Sequence, residues 1–190
     1  MARQLFILRH GRSQANERGL IASTMASAGE AFGLTAEGRG EVRSSVIDHQ
    51  SRLVSPTLIL SSPLLRARET AEIAAELCGA SVRVDDRLVE RGFGEFEMQS
   101  ADRYESVWDV DRRDPTHRTW GVESVVDVLT RLRSLLVETP SEGDGSILLV
   151  THGDVASTLI CASLGEDLSR HREVGGLTTG QLVSIDWPST

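Results

Sequence analysis

The sequence predicts an α/β protein: a three-layer α/β/α sandwich with a mostly parallel central sheet. Three observations carry this. Apolar runs too short for helices, Leu5-Phe6-Ile7-Leu8 and Ile147-Leu148-Leu149-Val150 among them, read as strands buried on both faces. Stretches with helically spaced apolar residues alternate with these runs along the chain. Two of the runs end alike, in Arg9-His10-Gly11 and Thr151-His152-Gly153, at the rim where open α/β sheets bind ligands.

Taken in order, residues 4–8 form the first strand. Residues 17–33, rich in Gly, Ala and Ser, read as a long loop with one helical turn, and loops of this length are usually functional or mobile. Leu34-Thr35-Ala36-Glu37-Gly38 opens a helix with Thr35 as its N-cap, running through Val42 and Val46 to about Leu53. Pro56 punctuates the chain before the strand Thr57-Leu58-Ile59-Leu60, which ends in Ser61-Ser62-Pro63. Pro63 suits the first turn of the next helix and Ser62 its N-cap, with Gly79 stopping that helix after Cys78.

Ser81-Val82-Arg83-Val84 is a short strand, and residues 85–97 follow as an irregular, charged, glycine-bearing segment. Residues 100–120, with Trp108 and Trp120, read as a short helix and a loop that lies either in the core or at a substrate entrance. Val125, Val126, Leu129, Leu132 and Leu136 recur at helical spacing. A strand over 146–151 leads into a helix from Asp154, its candidate cap, to Leu164. Gln181 to Trp187 is the last strand, near the sheet edge because Pro188 follows. No repeat or interdomain linker interrupts the pattern, so residues 1–190 are expected to form one domain.

Composition narrows the function classes. A formal net charge of −8 argues against general nucleic-acid binding but allows a locally basic pocket for an anionic substrate. Cys78 and Cys161 sit far apart in helical patterns and read as free thiols rather than a disulfide framework. There is no signal-peptide pattern and no apolar stretch of membrane-spanning length, so a cytoplasmic protein without a membrane partner is expected. The oligomeric state is open, a homodimer included.

Chemistry gathers at three strand ends: Arg9-His10, Ser61-Ser62 with Arg66 one turn on, and His152. His10 is suited to act as nucleophile, base or ligand, Arg9 can hold an oxyanion, and Gly11 lets a ligand approach the backbone. If these strands are parallel neighbours, two histidines, two arginines and two helix N-termini converge, which makes an anion site fit for phosphate. No metal-ligand motif is present, and no nucleotide phosphate loop or dinucleotide glycine fingerprint.

The same residues carry a family resemblance. Arg9-His10-Gly11 with Ser13 and Asn16 resembles the signature of the histidine phosphatase superfamily, the phosphoglycerate-mutase-like proteins. So do Leu34-Thr35-x-x-Gly38, Ser61-x-Pro63-x-x-Arg66-Ala67-x-x-Thr70-Ala71, Glu90-x-x-x-Gly94, Gly121-x-Glu123-Ser124 and His152-Gly153, in family order over nearly the whole chain. The resemblance implies a single catalytic domain that acts as a metal-independent, cofactor-free, acid-type phosphatase on a small phosphorylated substrate. It implies His10 as the nucleophile that becomes phosphorylated and Glu90 as the proton donor. It implies Arg9, Arg66 and His152 as phosphoryl ligands, helped by Ser13 and Asn16, with Gly153 beside the second histidine.

Each assignment has a plainer counterpart. Arg66 could be a solvated helix residue, Ser13 and Asn16 could only cap the first helix, and Glu95, Glu97 and Glu123 compete with Glu90. His49, His117 and His171 match nothing and read as surface or structural residues. Arg12 stands where many family members carry an acid, which suggests a cation at the mouth and a substrate with a second anionic group. The length of 190 residues favours the phosphatase branch; the alternatives are a mutase-type phosphoryl transfer or a non-catalytic phosphate-binding module.

Overall fold

The computed structural model describes residues 2–53, 58–139 and 146–188. Among the described residues, five strands make one sheet: β1 (Ala2–Arg9), β2 (Leu58–Ser61), β3 (Ser81–Val84), β4 (Ile147–Thr151) and β5 (Leu182–Pro188). Their order across the sheet is β3-β2-β4-β1-β5, with every pairing parallel except β1 with β5. β4 therefore lies between β1 and β2, and Arg9 is in register with Thr151. The predicted last strand is at the edge, and it is the one antiparallel member. Of the expected second strand and its approach, Pro56 and Thr57 lie outside the described residues.

The layers follow from the two-residue period of a strand. Leu5, Ile7, Leu60 and Leu149 face one side, where they pack with Val128, Leu132, Val155 and Leu159. Phe6, Leu8, Ile59, Leu148 and Val150 face the other, against Val42, Val46, Ala67 and Ala71. The first face is covered by α6 (Val125–Glu138) and α7 (Gly153–Ser163), the second by α3 (Ala36–His49) and α4 (Leu65–Cys78). Both sheet faces are thus apolar and covered, so the central strands have no polar side, as their continuous runs predicted. The sandwich is the expected three-layer α/β/α arrangement.

The remaining helices are short and gather above the strand C-termini: α1 (Gln14–Glu17), α2 (Met25–Ala28), α5 (Arg103–Asp111) and α8 (His171–Val174). The single turn expected inside 17–33 is α2, capped by the Thr24 hydroxyl. Thr35 caps α3 as read from sequence, and Gly79 ends α4 in the left-handed conformation. Ser124 and Asp127 form a capping box on α6. Among the described residues, no helix is long and apolar enough to cross a membrane.

Two expected caps are corrected. α4 starts at Leu65, not after Ser62, and its N-cap residue Leu64 makes no side-chain cap bond. The Leu65 amide is instead satisfied by the Gly29 carbonyl at 2.8 Å, and the Ser62 hydroxyl meets His152. α7 starts one residue earlier than read, at Gly153, with His152 in the N-cap position. Asp154 is inside the first turn, and its carboxylate is drawn into buried ion pairs rather than onto the helix amides.

Candidate active site

The three strand ends that were candidates for convergence do meet, because β1, β4 and β2 are parallel neighbours. The His10 amide donates to the Thr151 carbonyl at 2.9 Å, which continues the β1–β4 ladder into the turn. The two imidazoles lie 5.1 Å apart, centroid to centroid. His10 Nδ1 is 2.8 Å from the Gly11 carbonyl oxygen. A carbonyl only accepts, so the neutral ring carries its proton on Nδ1 and its lone pair on Nε2. Arg66 Nε donates to that Nε2 at 3.1 Å. Burial, then the Arg66 and Arg9 charges, hold the His10 imidazole well below the ordinary histidine range. His10 is therefore neutral at physiological pH, with its lone-pair nitrogen facing a cationic wall.

The turn that carries His10 is built by other motif residues. A methyl on Gly11 would lie 2.3 Å from the Gly38 carbonyl oxygen, and one on Gly38 2.1 Å from the Arg12 carbonyl oxygen. The two backbones touch, which accounts for a glycine at both places. The Thr35 hydroxyl donates to the Arg12 carbonyl, and the Thr70 hydroxyl accepts from the Gly11 amide while donating to the Arg66 carbonyl. Leu34-Thr35-x-x-Gly38 and Arg66-Ala67-x-x-Thr70 are thus the scaffold of the first turn.

Around His10, the lining of a narrow cleft includes Arg9, Ser13, Ala15, Asn16, Arg66, Glu90 and Tyr104. Its free space is about 20 Å³, room for a group of few atoms. Arg9 Nη1 donates to the Leu177 carbonyl and Arg66 Nη2 to the Ala22 carbonyl. Arg9 Nε, Arg66 Nη1 and His152 Nδ1 are buried with no hydrogen-bond partner among the described residues. Buried polar atoms left unpaired cost free energy unless something fills the gap. His152 Nε2 lies 2.7 Å from the Ser62 hydroxyl, and burial, then Arg66, lowers this imidazole as well.

Glu90 is buried and bridges two segments. Its Oε1 accepts from the Arg91 amide at 2.9 Å and its Oε2 from the Gly153 amide at 3.1 Å. Burial and the nearby Asp154 charge raise its carboxyl above the usual range, against the pull of the Arg91 amide and of Arg66 and Arg9. Its rivals are placed elsewhere. Glu97 accepts from the Ser23 and Thr24 amides and pins the 17–33 loop. Glu123 pairs at two points with Arg131 and accepts from the Gly92 amide. Among the described residues, no group of three or more potential metal-ligating side chains is present.

Ser13 and Asn16 do both things the sequence allowed: they form a capping box on α1 and they line the cleft. Gly153 brings its backbone to Glu90, and a methyl there would meet Arg9 at 3.4 Å. Arg12 is the exception. Its guanidinium is 3.5 Å from Glu37 and it does not line the cleft. The physical reason is α3: Thr35 and Gly38 clamp the Arg12 backbone and leave its side chain beside the first turn of that helix, where Glu37 is the nearest anion.

The comparisons with known proteins agree with this geometry. The family model of the histidine phosphatase superfamily (branch 1) matches residues 5–189. The chain belongs to the histidine phosphatase superfamily. A probable phosphoglycerate mutase of Salmonella choleraesuis is 32% identical over 168 residues, covering 85% of this chain and 75% of that one. A mycobacterial glucosyl-3-phosphoglycerate phosphatase superposes with a TM-score of 0.78 at 28% identity, over 97% of this chain and 90% of the other. A second solved structure, a mycobacterial hydrolase, gives 0.80 at 28% identity over 98% and 92%.

Three contributors to this superfamily member's cleft were not read from sequence. The Ala22 and Leu177 carbonyls that hold Arg66 and Arg9 are backbone atoms, for which no residue type is a marker. Tyr104 is the one tyrosine of the chain and lines the cleft from α5. Its position in a region read as a possible substrate entrance was the available signal. Trp108, one turn later, stacks on it with 5.3 Å between centroids.

Proposed function

We propose that the protein is a metal-independent phosphomonoester hydrolase working through a phosphohistidine at His10. The observation that carries this reading is the trio of buried nitrogens without a partner among the described residues, Arg9 Nε, Arg66 Nη1 and His152 Nδ1, around a neutral imidazole. The two guanidinium N–H groups, joined by His152 Nδ1 when the Ser62 hydroxyl donates to Nε2, fit the non-bridging oxygens of a phosphoryl group, which keep their negative charge throughout the reaction. The arginines supply the fixed positive charge a metal would otherwise bring. The small cleft fits a phosphoryl group and leaves the body of the substrate at the mouth, near Leu20, Ala22 and Tyr104.

In the first step the His10 Nε2 lone pair forms a bond to phosphorus as the P–O ester bond breaks. The departing alkoxide takes the proton of the Glu90 carboxyl, which burial keeps available. In the second step a water oxygen bonds to phosphorus and the P–N bond breaks. Glu90, now a carboxylate, takes the proton of that water, and neutral His10 and inorganic phosphate result. Arg66, already bonded to Nε2, is placed to exchange that contact for a phosphoryl oxygen.

A mutase reading is favoured by the name of the 32% identical relative. It differs in the acceptor of the second step, a substrate hydroxyl instead of water. A phosphoglycerate also carries a carboxylate, and Arg9 and Arg66 are the cleft-lining cations among the described residues; both are accounted for by the phosphoryl group. Released phosphate against isomerised phosphoglycerate separates the two readings. The test of the covalent step is trapping with labelled substrate: an acid-labile label is expected on the wild-type chain and absent from His10→Ala. Turnover that persists without a labelled intermediate would remove the proposal, as would activity lost to a chelator and restored by a divalent ion.

A further inference from the structure

Behind the cleft lies a buried network that the two-step reaction does not use. Arg91, fully buried, forms a two-point pair with Asp111 at 2.6 and 2.8 Å and reaches Asp154 at 3.3 Å. Asp154 also accepts from Trp108 Nε1 at 3.1 Å and pairs with Arg172 at 3.2 Å, while His171 Nε2 is 3.9 Å away. Arg172 in turn covers the Trp108 ring at 4.1 Å. His117 closes the far end on Asp111 at 2.9 Å.

This network is one residue out of phase with the cleft. Glu90 faces the cleft and its neighbour Arg91 enters the network. Gly153 donates to Glu90 and its neighbour Asp154 enters the network. Tyr104 lines the cleft from α5, and Trp108, one turn on in the same helix, binds Asp154. Three segments that build the cleft are therefore tied to one carboxylate behind it. We propose that Asp154 is a positioning residue for Glu90, its ties to Arg91 and Trp108 and its fixed charge governing how Glu90 presents a proton to the cleft. This rests on the reading of Glu90 as the acid.

The charged and titratable groups around Glu90 are Arg9 at the end of β1 and His10 just after it, Arg66 on α4, Tyr104 on α5, and His152 and Asp154 at the start of α7. Those around Asp154 are Arg91, Asp111 on α5, and His171 and Arg172 on α8. Burial opposes the charge on Asp154, but His171, Arg172 and Arg91 together hold its carboxyl below the usual range, so it is an anion across the working pH. A fixed anion near a carboxylic acid makes that acid keep its proton longer. Removing the anion releases the proton earlier; removing Arg172, the cation opposite, does the reverse.

The test is a carbon-13 NMR titration of the Glu90 carboxyl, assigned with Glu90→Gln, alongside pH profiles of the burst on an alkyl phosphate. Asp154→Asn keeps the size and the acceptor for Trp108. It should shift the Glu90 midpoint, and the alkaline limb of the burst, down by roughly one pH unit. Arg172→Gln should shift both up by a smaller amount. If Asp154→Asn does not fold, Arg172→Gln decides alone. Midpoints that stay put in the folded variants, whatever happens to stability, overturn the proposal and leave the network structural. The NMR arm reads Glu90 even in an inactive chain. A midpoint that shifts in a protein without a burst would keep the positioning role and remove the catalytic reading instead.

Discussion

The two histidine-glycine turns carry the same dipeptide at the ends of adjacent parallel strands, and the fold makes them different. After β1 the chain leaves the sheet through Gly11 and touches Gly38, so His10 is fixed at Nδ1 and turns Nε2 to Arg66. After β4 the chain enters α7 directly; His152 spends Nε2 on Ser62, and its Nδ1 has no partner among the described residues. The Gly11 amide goes to a structural threonine, the Gly153 amide to Glu90. One turn presents a lone pair to the cleft; the other commits its amide to Glu90 and leaves a single ring nitrogen open. Identical dipeptides acquire separate roles from what the next residues must do.

The largest expected break in that comparison is catalytic. His10→Ala should lower kcat by about four orders of magnitude or more, since a lost nucleophile leaves only binding and electrostatic assistance. His152→Ala should cost about two to three orders, the span for losing one donor to a developing charge. Steady-state and burst rates on one substrate check this. Equal losses would mean that the two imidazoles act as one unit.

The glycines should separate by stability. Gly11→Ala forces a methyl against the Gly38 backbone and should cost about 1–3 kcal/mol in urea unfolding. Gly153→Ala meets only the Arg9 guanidinium at 3.4 Å. It should stay within about 0.5 kcal/mol of the wild type, with its effect in a raised KM. A Gly153→Ala chain that is the less stable of the two would reverse the assignment of the tight turn.

A smaller effect concerns pH. Both imidazoles are held well below the histidine value of 6.5 in the folded chain, and in the unfolded chain both return to it. The unfolded state therefore binds more protons below that pH. Stability is complete above it and declines as pH falls through and beneath it. Urea midpoints measured from neutral to mildly acid pH should show this decline, and His10→Gln or His152→Gln should each flatten it. A variant with an unchanged slope would show that its imidazole is not held neutral.

The smallest effect belongs to the residue between the first turn and its capping serine. Arg12→Glu should change KM less than about twofold for substrates with and without a second anionic group, and stability by about 0.5 kcal/mol or less. Its guanidinium faces Glu37 rather than the cleft. A large KM rise confined to doubly anionic substrates would return Arg12 to the mouth.

By itself the sequence determined the strands β1 and β4, whose four-residue apolar runs can only be buried on both faces, and with them a covered parallel sheet. It also placed His10, Arg66 and His152 in one group, because those side chains come at strand ends and a helix start that the fold brings to one rim; Glu90 joined them only through the family resemblance of Glu90-x-x-x-Gly94. The tertiary structure decided what each polar group meets. Asp154 is a helix cap by residue type, yet the helix starts one residue before it, and Arg91, Trp108 and Arg172 arrive from 63, 46 and 18 residues away to bind its carboxylate. Arg12 was read as a mouth cation, yet its guanidinium pairs with Glu37 of α3, the helix packed against its backbone. Local spacing encodes which residues share a face of an element; the choice among distant partners of opposite charge is an energy difference that exists only once the layers have packed.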